Sequence, residues 1–179
     1  YKKVKLVPFG EFLPFEKILR KIGFRSLTNN YQSFSSGNKR EILLIEVESF
    51  DLKILPLICY EIIYSGNIFK DNNFDYIVNV SEDGWFGDSI GPHQHFTHSI
   101  FRAIESGKYI LRSANNGISA IINPTGITEK KIELEQIGYI DFYETRVLNE
   151  TIFSRYGNKM FLNIILLYIF LIFSFNRIF

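Results

Sequence analysis

Cysteine is almost absent from this 179-residue chain: one thiol, Cys59, cannot close an internal disulfide, so the fold must rest on its core. An excess of charge of one sign is missing too. Twenty Lys and Arg stand against 19 Asp and Glu, a formal net charge of +1, which leaves no field to draw in a nucleic acid or another polyanion. Histidine is scarce, with His93, His95 and His98 in one short stretch, and Trp85 is the sole tryptophan. No basic, apolar and small-residue leader opens the chain, which begins at Tyr1 and runs into strand-like sequence; this predicts a piece of something longer. The length suits one well-cored domain with an attachment at its end.

Phenylalanine is abundant, with 18 residues beside 10 tyrosines, and hydrophobic residues make up 46% of the chain. The excess lies at the C-terminus. From Met160 to Phe179 only Asn163, Ser174, Asn176 and Arg177 interrupt an apolar run. Twenty helical residues span roughly 30 Å, the thickness of a bilayer's hydrocarbon core. Arg155 and Lys159 precede the run, and Arg177 near its end has the reach to snorkel to a head-group layer. The pattern predicts one transmembrane helix over 159–179, anchoring a domain of residues 1–158. Basic residues at both ends leave its orientation open.

Before that run, short β-branched stretches alternate with helical patterns, which predicts an α/β fold. The expected strands are Val4–Val7, Ile42–Val47, Leu52–Ile58, Tyr76–Val80, Tyr109–Leu111 and Ile118–Ile122. The expected helices are Phe15–Ile22, Ile62–Lys70 and His93–Ser106. Asn123-Pro124-Thr125-Gly126 reads as a turn, with Ile127–Leu134 as the returning arm of a hairpin, and 33–39 reads as a flexible loop.

Cys59 follows an expected strand and precedes an expected helix. That turn would expose a nucleophile at the sheet edge, where a helix N-terminus favours a thiolate; a lone Cys in an apolar stretch is more usually a small core residue. Lys3, Lys5 and Glu11 gather two cations and a carboxylate around a Pro8-Phe9-Gly10 bend, an arrangement able to stabilise a developing oxyanion, or simply to face solvent. Asn79 to Asp88 joins a strand end to a glycine-rich loop carrying Trp85 and Phe86, where open α/β folds place ligand contacts. The three histidines lack a completed zinc pattern, and hydrogen-bonding imidazoles near a substrate loop are the preferred reading over a metal.

Taken in order, KVKLVPFGEFLP, LICYEI, NVSEDGWFGDSIGPHQH, RAIESGKYILRSANNGISAIINPTG and SRYGN resemble the apolipoprotein N-acyltransferases, within the nitrilase superfamily, from Lys3 to about Asn158. The resemblance implies part of a nitrilase-like α-β-β-α sandwich, followed by the family's C-terminal membrane helix at Met160–Phe179. It places the catalytic lysine at Lys3 and the nucleophile at Cys59, with Glu11, Tyr60 and Glu61 as accessory residues. Trp85 and Phe86 fall in its substrate loop. The family's general-base glutamate falls upstream of this segment, and Glu82 stands where the family commonly has Asn.

The activity implied is transfer of a fatty acyl group from a phospholipid to the N-terminal amine of diacylglyceryl-cysteine in an apolipoprotein, through a thioester, with no metal or organic cofactor. The setting implied is the inner membrane, with the catalytic domain facing the periplasm. Two rival readings use the same residues: a nitrilase-type amidase hydrolysing a carbon-nitrogen bond, and a non-catalytic remnant or half of a split protein whose partner supplies the glutamate. With the family's general-base glutamate upstream, Cys59 is expected to form the thioester only when that glutamate and the upstream helices are supplied, by fusion or by a co-expressed partner.

Overall fold

A computed structural model describes residues 1–23, 34–47, 50–66, 68, 73–143 and 149–175. Six strands form one mixed sheet: β1 (Leu43–Val47), β2 (Phe50–Ile58), β3 (Tyr76–Glu82), β4 (Tyr109–Asn115), β5 (Ser119–Ile122) and β6 (Thr128–Ile132), side by side in chain order. The central strands β2, β3 and β4 run parallel, while β1, β5 and β6 are antiparallel to their neighbours. Asp75 sets the entry to β3, because its carboxylate takes the Lys53 N–H at 2.8 Å while its own N–H donates to the Lys53 carbonyl at 2.8 Å.

Alternation along the strands sorts side chains onto two faces. Leu55, Leu57, Ile77, Ile110, Ala120 and Ile122 lie buried on one face, packed against Ile62 and Ala103. Ala103 belongs to α2 (Gly91–Ser106), which links β3 to β4, starts with Pro92 in its first turn, and ends at Gly107. Gly107 has φ +66°, and a Cβ there would come within 3.0 Å of the Thr151 methyl, so both backbone and space call for glycine.

The opposite face carries Tyr76, Tyr109 and Ile121, with Ile140 and Phe142 laid beside them. A cavity of about 390 Å³ opens there between the sheet and Gly138–Ile140. Among the described residues there is one sheet with α2 on one face, so the expected α-β-β-α sandwich is present as one α and one β layer of a nitrilase-like α/β fold.

The expected turn at Asn123 forms as read. Its Oδ1 accepts from the N–H groups of Thr125 and Ile127, both at 3.0 Å, and β6 returns antiparallel to β5. Two expectations need correction. Val4–Val7 is not a strand, because its N–H groups are taken by side chains: Val4 and Lys5 donate to Glu61, and Val7 to Glu11. Ile62–Lys70 is not a helix where it is described, since a five-residue 3-10 turn, Cys59–Ile63, is followed by irregular backbone, and 67 and 69–70 lie outside the described residues. The flexible loop at 33–39 is described only from 34.

After the short helices α1 (Glu16–Lys21) and α3 (Ile152–Tyr156), the chain ends in α4 (Lys159–Phe175). Its 17 residues are apolar nearly all round, and none is buried. Among the described residues no helix is long and apolar enough to cross a membrane. Residues 176–179, including Asn176 and Arg177, lie outside the described residues.

Candidate active site

The Ile58 N–H leaves the strand pattern to meet its own turn, donating to Glu61 Oε2 at 2.9 Å. The chain then folds into the 3-10 turn, with Cys59 at φ +50°. A non-glycine residue held in that left-handed region is strained, and such strain persists only where the surroundings fix it. Because the element after Cys59 is a short 3-10 turn, the helix-terminus contribution to a thiolate expected from the sequence is missing.

Glu61 is fully buried, and its carboxylate gathers donors from three places. Val4 and Lys5 N–H reach Oε1 at 2.9 and 3.1 Å, the Tyr1 hydroxyl reaches Oε2 at 3.1 Å, and the Arg40 guanidinium lies 3.8 Å away. Buried charge is tolerated when paired and hydrogen-bonded in this way. The result joins residues 1–5 to the Cys59 turn. Within the joined segment Lys3 Nζ donates to Glu11 Oε1 at 2.7 Å, and Glu11 Oε2 accepts from the Val7 N–H at 2.8 Å. Lys5 is not part of that pair: its ammonium sits 5.8 Å from the centroid of the Tyr64 ring. Tyr60 also meets Tyr64, edge to face at 5.6 Å.

Behind the turn, between the sheet and α2, lies a polar cluster that sequence reasoning missed as a unit. Arg112 donates from Nη2 to Asp83 Oδ2 at 2.6 Å, from Nε to the Ile118 carbonyl at 3.1 Å, and from Nη1 to Asn79. Asn79 passes its own amide hydrogen to the Leu57 carbonyl at 3.0 Å. Asp83 Oδ1 meets Ser81 Oγ at 2.7 Å and His95 Nδ1 at 2.8 Å, and His95 Nε2 reaches the Cys59 carbonyl at 3.2 Å. Gly117 packs so closely on Asp83 that a Cβ would overlap the carboxylate. The available signal was an arginine in the apolar strand Tyr-Ile-Leu-Arg-Ser-Ala, two places after a core Ile, which demands a buried partner.

Burial pushes the Asp83 carboxyl up, but the hydrogen bond from His95 and the positive charge of Arg112 more than reverse this, leaving it below the ordinary carboxylate value. Burial draws the Arg112 guanidinium down, against the opposing pull of Asp83 and, further along, of Cys59. His98 is held low by burial and by Arg102 and His95. His93 is exposed, and His95 is spent on hydrogen bonds. Among the described residues no three His, Cys, Asp or Glu side chains converge to hold a metal.

Trp85 and Phe86 ride on a second 3-10 turn, Asp83–Phe86, after β3. Trp85 is 74% exposed, while Phe86 turns its ring edge toward His95, 5.4 Å between centroids. Glu82 caps this turn, accepting from the Gly84 N–H at 2.9 Å and the Asn115 amide at 2.6 Å. Two carboxylates are thus at work: Glu11 pairs with Lys3, and Glu61 ties the Lys3 segment to the turn that carries Cys59 and Tyr60, while Phe86 packs on His95, which reaches the Cys59 carbonyl. Trp85 stands apart, facing outward.

Residues 1–141 match the model of the carbon-nitrogen hydrolase family. The chain is 43% identical over 160 residues to a protein of Rickettsia typhi named apolipoprotein N-acyltransferase, covering 88% of this chain and 31% of that one. Proteins of the same name in Rickettsia bellii and Bradyrhizobium diazoefficiens are 45% and 42% identical, over 96% and 88% of this chain. The chain spans about a third of the length of these relatives, 34% and 29% for the latter two. An amidase structure from Nesterenkonia sp. superposes with a TM-score of 0.48 at 16% identity, over 75% of this chain and 46% of that one. With the family model matching most of its length, the chain belongs to the carbon-nitrogen hydrolase family.

Proposed function

We propose that this chain is the acyl-carrying part of an apolipoprotein N-acyltransferase, with Cys59 as nucleophile and Lys3 as oxyanion stabiliser. The observation that carries the reading is the tie between them: Cys59 stands strained at the end of β2, and Glu61, two residues on, holds the backbone on both sides of Lys3's neighbour Val4. The names of the relatives support the acyl-transfer reading over simple hydrolysis.

In the first half-reaction the Cys59 thiolate attacks the ester carbonyl of a phospholipid. The Lys3 ammonium, kept in place by Glu11, stabilises the tetrahedral oxyanion. Collapse breaks the ester C–O bond, the leaving alkoxide takes a proton and departs as lysophospholipid, and a thioester remains on Cys59. In the second, the free amine of a diacylglyceryl-cysteine attacks the thioester, an amide forms, the amine's proton is lost and the thiolate returns. The general base that takes the thiol proton is, in this reading, the family's glutamate, which precedes Lys3 in chain order.

Phe86, packed on His95, and the exposed apolar side chains of Trp85 and Ile90 on the neighbouring loop supply contact for acyl chains in this reading. Helix α4, apolar and unburied, spans about 25 Å at 1.5 Å per residue. In this reading it belongs to a membrane anchor, which would hold the site at the surface of the inner membrane, on its periplasmic side.

The test is incubation of the protein with a phospholipid labelled in its acyl chain. Hydroxylamine-sensitive label is expected when the upstream, glutamate-bearing part is supplied by fusion or as a co-expressed partner, lost in Cys59→Ser and strongly slowed in Lys3→Ala. Label that survives Cys59→Ser would remove the nucleophile assignment. Release of ammonia from a simple amide, without labelled thioester, would support the hydrolase reading instead.

A further inference from the structure

We infer that His95 is a positioning residue for the nucleophile: its Nε2–H holds the Cys59 carbonyl and thereby keeps Cys59 in its left-handed conformation. The inference rests on the reading of Cys59 as nucleophile. A carbonyl oxygen only accepts, so at 3.2 Å from it His95 Nε2 must carry the hydrogen, whichever role Nδ1 takes toward Asp83 and Ser81.

The ring has no freedom to turn away. It is 4% exposed, its Nδ1 lies 2.8 Å from Asp83 Oδ1, and Asp83 is itself pinned by Arg112 at 2.6 Å. The Phe86 ring packs against the imidazole at a steep angle, 5.4 Å between centroids. Arg112 is anchored in turn on β3 through Asn79 and on the β4–β5 connection through the Ile118 carbonyl. The nucleophile turn is therefore braced against two strands and α2 through one imidazole.

The Cys59–Tyr60 peptide is planar and trans, so its C=O and N–H point in opposite directions. Holding the oxygen toward α2 fixes the Tyr60 N–H to point away from it, and fixes the rotation about Cys59 that aims the thiol. Without that hydrogen bond the turn is free to relax toward ordinary dihedrals, and the thiol leaves its attack geometry. An error of about 1 Å in such a geometry costs on the order of 10²-fold in rate.

Two variants separate this role from simple packing. In His95→Gln the amide nitrogen reaches as far as Nε2 and can still donate to the Cys59 carbonyl. In His95→Asn the shorter amide reaches Asp83 but not Cys59. With the upstream, glutamate-bearing part supplied and a phospholipid donor, His95→Asn is expected to lose about 10²-fold in kcat with KM changed less than about threefold, and His95→Gln to recover most of the loss. Equal losses in both variants, or a loss confined to KM, would overturn the inference.

Should both variants misfold, the wild type decides. Nitrogen-15 labelling of histidine is expected to show an exchange-protected Nε2–H, and an unprotonated Nε2 at His95 would end the proposal. That resonance needs no acyl transfer, so the contact and the acyl-carrier reading fail separately. Activity persisting in Cys59→Ser would remove only the latter.

Discussion

The N–H of Val4 donates to Glu61 Oε1 at 2.9 Å across 57 positions of sequence, and this contact brings the lysine segment to the cysteine turn. Glu61 accepts also from Lys5, Ile58 and Tyr1, and each of those donors would be stranded by its loss. Replacement by alanine removes the acceptor and leaves the donors unpaired. Glu61→Ala is therefore expected to lower unfolding free energy in urea by about 3 kcal/mol or more. A loss under about 1 kcal/mol would mean that water replaces the carboxylate freely.

Cys59 offers a test of strain independent of activity. With φ at +50°, a side chain is penalised relative to glycine at that position. Cys59→Gly is expected to be more stable than Cys59→Ala by about 1 kcal/mol, the reverse of the usual ranking of Gly and Ala. Alanine equal or superior to glycine in thermal unfolding would show that the turn is not strained.

The pH dependence of stability follows from Asp83. Its carboxyl lies below the ordinary value in the folded protein, whereas in the unfolded chain it titrates near about 3.9. As pH falls through that region the unfolded chain takes up the proton first. The stabilisation is full above the unfolded value and is lost as pH drops toward the folded one. Asp83→Asn is expected to be less stable at neutral pH, since Arg112 loses its counter-charge, and to show a shallower decline in acid. Parallel curves for the two proteins between pH 5 and pH 2 would assign the acid sensitivity elsewhere.

Membrane attachment through α4 is tested by deletion. Removing residues 160–179 is expected to abolish the carbonate-resistant membrane association of this chain when it is expressed alone. Unchanged association would place the attachment in another part of the chain.

Strand sequence was legible wherever apolar residues alternate or run together, as at Leu52–Ile58 and Tyr76–Val80, because burial on a sheet dictates that pattern. Val4–Val7 carries the same composition and forms no strand, because carboxylates 57 and 4 residues away capture its N–H groups. No local pattern announces such a capture. Cys59, Lys3 and Glu11 stood out by residue type and by family resemblance. The tie through Glu61 and the brace through His95 and Arg112 depend on which side chains meet between sheet and helix, and that is fixed only by the tertiary packing.

The donors that Glu61 takes from Val4, Lys5 and Ile58 are all main-chain groups. Side-chain identity at these three positions is thus invisible to the clamp, and lineages can drift there without loosening the joint between lysine and cysteine. Proline alone is barred, since it has no N–H to give. A single Pro at 4, 5 or 58 would therefore do more harm to this site than the exchange of several neighbouring side chains at once.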